Sequence, residues 1–311
     1  MTPPDSAPFD DMRSLILALR GPDLSAKDAA RALRAQLALP SGGTGRLGVL
    51  FDWLAGVTGR CPPTFRFPRL ALYAARHGAA DHDPLTPDAA HVRRHLELLA
   101  AGGGLANAVC AAGDVGLQVF DLSPETPPQD PALGPSMTER DCAAAIAFWM
   151  EALAGEVDLL CLGDISAGAE FGAAAILEPA IVPVQWSSHI APATDDPLEA
   201  LRRFGGRETA ALAGAILAAG HQKVPVILDG APALAAACVL WRQNAHALDH
   251  CLLAEARGGI MERAAAEMGL VPLLSFGLSA GEGAAAALAV QTVRTAVSLH
   301  LSLPPRHSMG L

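Results

Sequence analysis

The sequence predicts an α/β fold, a Rossmann-like, mostly parallel sheet of about five or six strands with helices on both faces. Two observations support this prediction. Short apolar runs of strand length recur along the chain, and segments with helical periodicity separate them. Because parallel strands need a crossover connection, usually a helix, this alternation is typical of βαβ units.

Five apolar runs are the predicted strands, and their continuous hydrophobicity is typical of strands buried on both faces. They are RLALYAA at 69–75, VGLQVFDL at 115–122, VDLLCLG at 157–163, VPVILDG at 224–230 and LDHCLLA at 248–254. We expect the last two runs to be neighbouring parallel strands.

Two of the intervening segments carry clear helix signals. Apolar residues recur at helical spacing from Glu139 to Ala154, and Thr138 is the predicted N-cap. A second apolar stripe runs from Arg207 to Ala219, and the predicted C-cap is Gly220.

The two ends of the chain are helical in pattern. We predict that residues 1–60 and 284–311 together form a small helical domain. Residues 61–283 then form the Rossmann-like α/β domain.

Composition limits the possible partners. The 311-residue chain is 51% hydrophobic and has a net charge of -10, which disfavours nucleic acid and anionic membranes and favours small-molecule ligands. The first residues, MTPPDSAPFDDMRSL, are acidic where an export signal has a basic start, so we expect a cytoplasmic protein without a membrane span. The six cysteines include no C-x-x-C pair, and their apolar surroundings predict reduced thiols.

Three groups of residues have a spacing compatible with metal ligation. They are His91 with His95, His246 with His250, and the triplet DHD at 81–83. No glutamate completes an H-E-x-x-H motif, and the triplet lies in a proline-bounded loop, where solvated charge is the commoner explanation. We therefore predict no metal ion and no cofactor.

The strongest candidate for chemistry is Glu282, which lies between Gly281 and Gly283 at the start of an alanine-rich helix. The positive end of a helix dipole favours a charged carboxylate, and the glycines let a flat ligand approach the backbone. A carboxylate held in this way can accept a proton from a ring nitrogen. The alternative is an acid that only stabilises the first turn of its own helix.

Three other segments are candidate ligand contacts. Ligands of open α/β sheets bind beyond the carboxyl ends of strands, which is where GDISAGAEFG at 163–172 lies. Asp229 and Gly230 end another predicted strand, and Asp229 either contacts a ligand or caps the helix that follows. Gly102, Gly103 and Gly104 precede a helix whose N–H groups could face an anion, although helix packing is the commoner reason for such glycines.

Several segments, in their order along the chain, resemble the nicotinate-nucleotide:dimethylbenzimidazole phosphoribosyltransferase family. They are GRL at 45–47 followed by FDWLAGVTG, then GGGLANA, LLCLGD, GGRETAALAGAILAA, VPVILDG and GLSAGEGAAAALA. The resemblance covers residues 40 to 300, nearly the whole chain. It implies transfer of phosphoribose from nicotinate mononucleotide to 5,6-dimethylbenzimidazole, which gives α-ribazole 5'-phosphate for cobalamin. It also implies a homodimer.

The resemblance implies roles for individual residues. Glu282 is the expected catalytic base, which removes the benzimidazole N–H proton as the other ring nitrogen attacks C1' of the ribose. The expected base-binding residues are Asp164, Gly281, Gly283 and His77. The expected nucleotide-binding residues are Gly163, Ser166, Gly168, Asp229 and Gly230.

The chain departs from the family pattern at three segments, which makes it a divergent member. It has GDISAGAEF where the family has GEMGIGNTT, RHG at 76–78 where the family has DHG, and LAEARGGIM at 253–261 where the family has S-H-x-S-x-E-P-G-H. The loop at 179–197 is too short for the family's phosphate-facing lysine helix. Two alternatives therefore stay open: a catalytically impaired paralogue that binds an aromatic base or a corrinoid-pathway ligand, and a transferase with a changed donor contacted by Arg76 or Arg257.

Overall fold

The computed structural model describes residues 8–39, 43–178, 195–278 and 281–309. Within these residues its centre is a five-stranded parallel sheet in the order β2-β1-β3-β4-β5. The strands are β1 (Pro68–Ala74), β2 (Gly116–Asp121), β3 (Leu159–Asp164), β4 (Val226–Leu228) and β5 (Cys251–Leu253). The predicted fold class is confirmed, and so is the parallel pairing of the last two predicted strands.

The described helices connect and cover the strands. They are α1 (Pro8–Leu17), α2 (Leu24–Ala35), α3 (Gly45–Thr58), α4 (Ala89–Ala100), α5 (Leu105–Gly113), α6 (Glu139–Trp149), α7 (Ala169–Leu177), α8 (Pro197–Phe204), α9 (Arg207–Gln222), α10 (Ala231–Gln243), α11 (Gly259–Glu267) and α12 (Ala284–Ser302). Thr138 caps α6 as predicted, because its side chain accepts a hydrogen bond from the Asp141 N–H.

Helices lie on both faces of the sheet. Side chains alternate along β1, so Leu70 and Leu72 join the cluster formed with α5 and α12, whereas Ala71 and Tyr73 join the one formed with α6, α7, α9 and α10. Many contacts on both faces are made by alanine, whose small side chain lets helices approach the sheet closely. The alanine-rich composition is therefore explained by helix-on-sheet packing.

Two predicted details were wrong. The run at 115–122 was expected to be buried on both faces, but β2 is the edge strand and its residues are exposed or half-buried. Gly220 was the predicted C-cap of α9, but the helix continues to Gln222 and ends at Lys223, which has a φ of 57°. Gly220 has a packing role instead, since a Cβ there would lie 2.7 Å from Leu19 Cδ2.

Contacts join the two ends of the chain. Phe51 on α3 stacks on His300 of α12 with ring centroids 4.4 Å apart, and Arg306 donates to the Leu37 carbonyl. The first half of α12, however, packs under the sheet, and α1 packs against α6. A separate helical domain of residues 1–60 and 284–311 stays a prediction.

Residues 89–113 are, among the described residues, long and apolar enough to cross a membrane by length and composition. In the fold this stretch consists of α4 and α5, which are separated by a turn at 101–104. Both helices contribute to the cluster on one face of the sheet.

The second histidine pair has separate structural roles. His246 pairs with Asp249 on the surface, whereas His250 is buried and its Nε2 lies 3.0 Å from the Ile216 carbonyl oxygen. Burial lowers the pKa of His250 to about 4. The spacing of the pair therefore arises from a 3₁₀ turn and a strand start, and the two rings do not share a ligand.

His250 makes the protein sensitive to acid. The folded state keeps this imidazole neutral down to about pH 4, whereas the unfolded chain binds a proton below about pH 6.5. The contribution of His250 to the free energy of unfolding is therefore complete above about pH 6.5 and is lost as the pH falls toward 4. His250→Gln can still donate to the Ile216 carbonyl and should flatten the fall in unfolding free energy by up to about 1.4 kcal/mol per pH unit. Urea unfolding at several pH values within this window measures the slope. An unchanged slope in the variant would contradict the assignment.

Candidate active site

The Glu282 carboxylate is buried and bound on both oxygens. Oε1 lies 2.8 Å from His95 Nε2, and Oε2 accepts a 2.8 Å hydrogen bond from the Ala106 N–H. Ala106 lies in the first turn of α5, so the carboxylate sits at the positive end of that helix dipole. The predicted charge–dipole interaction exists, but it involves α5 and not α12, the helix that Glu282 precedes.

Both interpretations of the glycine cluster at 102–104 apply in part. The Ala106 N–H at the start of α5 does face an anion, which is the protein's own Glu282 carboxylate. A Cβ on Gly104 would lie 2.4 Å from Leu99 Cδ2 and 2.9 Å from Glu282 Oε2. Gly104 therefore leaves room for helix packing and for the carboxylate at the helix end.

The turn that carries Glu282 has an unusual backbone. Gly281, Glu282 and Gly283 have φ values of 72°, 58° and 62°, a region in which non-glycine residues are uncommon. A Cβ on Gly283 would lie 2.5 Å from Leu70 Cδ1, and one on Gly163 would lie 2.5 Å from Gly283 Cα. The two glycines let the turn approach the end of β3.

Asp229 caps α12. Its Oδ2 accepts hydrogen bonds from the Ala285 and Ala286 N–H groups, at 2.9 and 3.4 Å, and its Oδ1 faces Arg257 Nη2 at 3.7 Å. Of the two alternatives for Asp229, the cap of the following helix was wrong, because the sheet places the end of β4 beside the start of α12, and the ligand contact stays a prediction. Burial raises the pKa of Asp229, although Arg257 and the N–H groups of α12 act in the opposite direction.

Asp164 ends β3 and is held by Ser166. The Ser166 hydroxyl donates to Oδ1 at 2.6 Å, and the Ser166 N–H donates to Oδ2 at 2.9 Å. Ser166 also accepts from the Ala75 N–H, which ties the loop to the end of β1. Burial, followed by the nearby carboxyl group of Glu208, raises the pKa of Asp164 well above its usual range.

A cleft lies beyond the carboxyl ends of β3 and β4, and it comprises two adjoining cavities of about 520 and 380 Å³. Both are lined by Asp164, Glu170, Arg257 and Gly281. The larger also contains Asp229, Gly230, Gly283 and the start of α11, whereas the smaller contains His91, His95, Ser166 and Gly168. In the strand order, β2 is added on one side of β1 and β3 on the other. In open α/β sheets, ligands bind at this switch point, where the direction of strand addition reverses.

Comparison with known proteins places the chain in a family. A family model described as "Phosphoribosyltransferase" matches residues 19–182 and 179–306. A nicotinate-nucleotide–dimethylbenzimidazole phosphoribosyltransferase from Agrobacterium fabrum is 40% identical over 330 residues, which cover 98% of this chain and 95% of the relative. The chain belongs to this family. A protein of the same name from Sinorhizobium medicae is 44% identical over 324 residues, which cover 94% of each chain.

A solved structure agrees with this membership. The nicotinate-nucleotide–dimethylbenzimidazole phosphoribosyltransferase from Thermus thermophilus superposes with a TM-score of 0.84 at 25% sequence identity. The match covers 93% of this chain and 98% of that one. The family resemblance read from the sequence segments is therefore confirmed, together with the α/β fold and the class of enzyme, a phosphoribosyltransferase.

Most of the residues that the family resemblance implied come together in the cleft. They are Asp164, Ser166, Gly168, Asp229, Gly230, Gly281 and Gly283. Three others, Glu282, Gly163 and His77, are not part of its described lining. Gly163 packs against Gly283, and the buried ring of His77 has its Nε2 2.9 Å from the Phe204 carbonyl oxygen and its Nδ1 3.1 Å from the Ala79 nitrogen. Ligand contacts by all of these residues stay predictions.

Sequence reasoning missed two members of the site. His95 was noticed only for its i, i+4 spacing with His91, which suggested metal binding, and nothing local connects it with Glu282. Glu255 accepts hydrogen bonds from the Gly277 and Leu278 N–H groups and so fixes the loop that leads to Gly281. No group of three or more metal-binding side chains lies together among the described residues.

Proposed function

We propose that the protein transfers the phosphoribosyl group of nicotinate mononucleotide to 5,6-dimethylbenzimidazole, giving α-ribazole 5'-phosphate and nicotinate. The observation that carries this proposal is the pair of buried Glu282 and half-buried His95, of which His95 lines the cleft. Relatives named for this reaction match the chain over nearly its full length.

The acceptor chemistry explains why a carboxylate is needed there. One ring nitrogen of the benzimidazole attacks C1' of the ribose, nicotinate leaves with the electron pair of its bond to C1', and the other ring nitrogen loses its proton. Displacement of this kind inverts the configuration at C1'. The negative charge of Glu282 favours removal of the proton, and general-base catalysis of this kind typically contributes a hundredfold to ten-thousandfold in rate.

The lining suggests how the two substrates divide the cleft. The smaller cavity, which contains His95, would hold the flat acceptor base against the backbone of Gly281 and the side chain of Asp164. The larger cavity, which contains Gly230 and Arg257 beside the N-terminus of α11, would hold the nucleotide. Arg257 offers a positive charge, and the exposed N–H groups of a helix start favour a phosphate.

Incubation with both substrates tests the proposal. We expect chromatography to show α-ribazole 5'-phosphate and nicotinate in equal amounts. Absence of product at high enzyme concentration, together with calorimetric binding of the base but not of the nucleotide, would establish the impaired paralogue instead. Product formed only from a nucleoside lacking the phosphate would establish a changed donor.

We also propose that the protein is a homodimer, as the family resemblance implied, and that it acts in the cytoplasm. Each chain has a mass of 32.0 kDa. Light scattering coupled to size-exclusion chromatography should therefore give twice that mass, and the mass of a single chain would contradict the dimer.

A further inference from the structure

His95 stands between the Glu282 carboxylate and the cleft. The described lining of the smaller cavity includes His95 but not Glu282. The His95 side chain is 22% exposed, whereas that of Glu282 is 8% exposed. A substrate in this cavity therefore meets the imidazole before it meets the carboxylate.

The contact with Glu282 assigns a tautomer to the ring when the carboxylate is ionised. An ionised carboxylate can only accept, so in that state His95 Nε2 carries the proton in its 2.8 Å bond to Glu282 Oε1. In a neutral imidazole the other nitrogen, Nδ1, then has a free lone pair. Within the described part of the chain, no residue donates a hydrogen bond to Nδ1. The carboxylate is also held on its second oxygen by Ala106, which prevents it from turning away.

From this geometry we propose that His95 Nδ1 is the atom that accepts the proton of the attacking base, and that Glu282 orients and charges the imidazole. The inference rests on the proposed function and assigns a different atom to one of its steps. Glu282 then acts through His95, as a buried carboxylate does when it holds a catalytic histidine in one tautomer.

The step balances without a further reactant. The N–H bond of the acceptor breaks and its proton binds His95 Nδ1, while the electron pair stays in the acceptor ring. The other ring nitrogen forms its bond to C1', and the bond between C1' and nicotinate breaks toward nicotinate. The imidazolium that results keeps its Nε2–H bond to Glu282 and later releases the Nδ1 proton to water.

The charges around the ring favour the imidazolium. Asp83 in the preceding loop, Asp164 at the end of β3 and Glu170 on α7 line the same cavity, together with His91 one turn away on α4. Arg257 is the positively charged side chain among these lining residues. Burial raises the pKa of Asp164 well above its usual range, so the negative charges counted here are those of Asp83, Glu170 and, behind the ring, Glu282. They outnumber the charge of Arg257, so positive charge on His95 is stabilised during the step.

The pH dependence of turnover distinguishes the two assignments. If His95 accepts the proton, the acid limb of the kcat/KM profile should be present in the wild-type protein and absent from His95→Gln, because the variant has no imidazole to protonate. If the carboxylate accepts the proton directly, the acid limb should persist in His95→Gln, and that result would overturn the proposal.

A variant separates proton transfer from positioning. His95→Gln can still donate an N–H to Glu282, but it cannot take a proton at neutral pH, so we expect kcat to fall by about a hundredfold or more and the acid limb of the pH profile to disappear. His246→Gln, which changes a surface histidine far from the cleft, should leave both unchanged. Binding of dimethylbenzimidazole, followed by calorimetry, should persist in His95→Gln. Turnover of this variant at the wild-type rate would overturn the proposal.

A spectroscopic measurement keeps this inference separable from the proposed function. Long-range proton–nitrogen NMR of the wild-type protein should show His95 protonated on Nε2 and unprotonated on Nδ1. The opposite tautomer would overturn the inference even if α-ribazole 5'-phosphate is formed. If the wild-type protein forms no product, the proposed function fails, and the tautomer still shows whether the Glu282 and His95 pair is poised as described.

Discussion

Replacing Glu282 with glutamine should lower turnover by about a hundredfold to ten-thousandfold, which is roughly 3 to 5 kcal/mol of activation barrier. The carboxylate accepts from both His95 and the Ala106 N–H, whereas the amide has one oxygen for two donors. If that oxygen stays on Ala106, the amide nitrogen faces His95 Nε2. The imidazole then has to carry its proton on Nδ1, where it cannot accept another.

The same substitution should also cost stability. In an exposed first turn of a helix, a near-isosteric swap such as this one should cost only about 0.5 kcal/mol. The structure buries Glu282, and the conflict between donors leaves one buried polar group unsatisfied, so we expect a loss of about 1 to 3 kcal/mol.

Two measurements check the variant, namely product formation by chromatography and unfolding by urea. Glu267→Gln is a matched control, because Glu267 is an exposed acid at the end of α11 and should change neither quantity. Wild-type turnover in Glu282→Gln would mean that Glu282 serves only the structure of the turn.

Gly163→Ala should destabilise the protein by about 3 kcal/mol, at the upper end of the cost of overpacking. The added Cβ would lie 2.5 Å from Gly283 Cα, 2.6 Å from Gly283 N and 2.8 Å from Leu72 Cδ2. Two of these atoms are backbone and cannot rotate away. Because Gly283 adjoins Glu282, the shift should also displace the carboxylate and lower turnover.

The matched control is Gly116→Ala on the edge strand β2. A Cβ there meets the Pro68 carbonyl oxygen at 3.6 Å, an ordinary contact, so unfolding free energy and turnover should stay close to wild type. The two possible roles of Gly163, packing against Gly283 and contact with the nucleotide, predict different results for the alanine variant. If the residue mainly contacts the nucleotide, as the family resemblance implied, the variant should raise the KM for nicotinate mononucleotide while its urea midpoint stays unchanged.

The sequence by itself determined the fold class and the positions of all five described strands, and it selected the turn around Glu282 as the candidate site. These features are local. The spacing of apolar residues along the sequence indicates whether a segment is a helix or a strand. Glycines on both sides of an acid indicate an unusual backbone conformation, independently of the rest of the fold. Asp164 and Asp229 were also found in this way, because they directly follow strands whose carboxyl ends form one edge of the sheet.

Only the tertiary structure decided which groups meet. His95 and Glu282 are 187 residues apart, Ala106 and Glu282 are 176 apart, and Asp229 and the α12 start that it caps are 56 apart. Residues so far apart in sequence come together because the strand order brings α4, α5 and α12 to the same end of the sheet. No local sequence pattern encodes that order. The same order makes β2 an edge strand, although the run at 115–122 was expected to be a buried strand. The acid was therefore visible in the sequence, whereas its histidine partner required the fold.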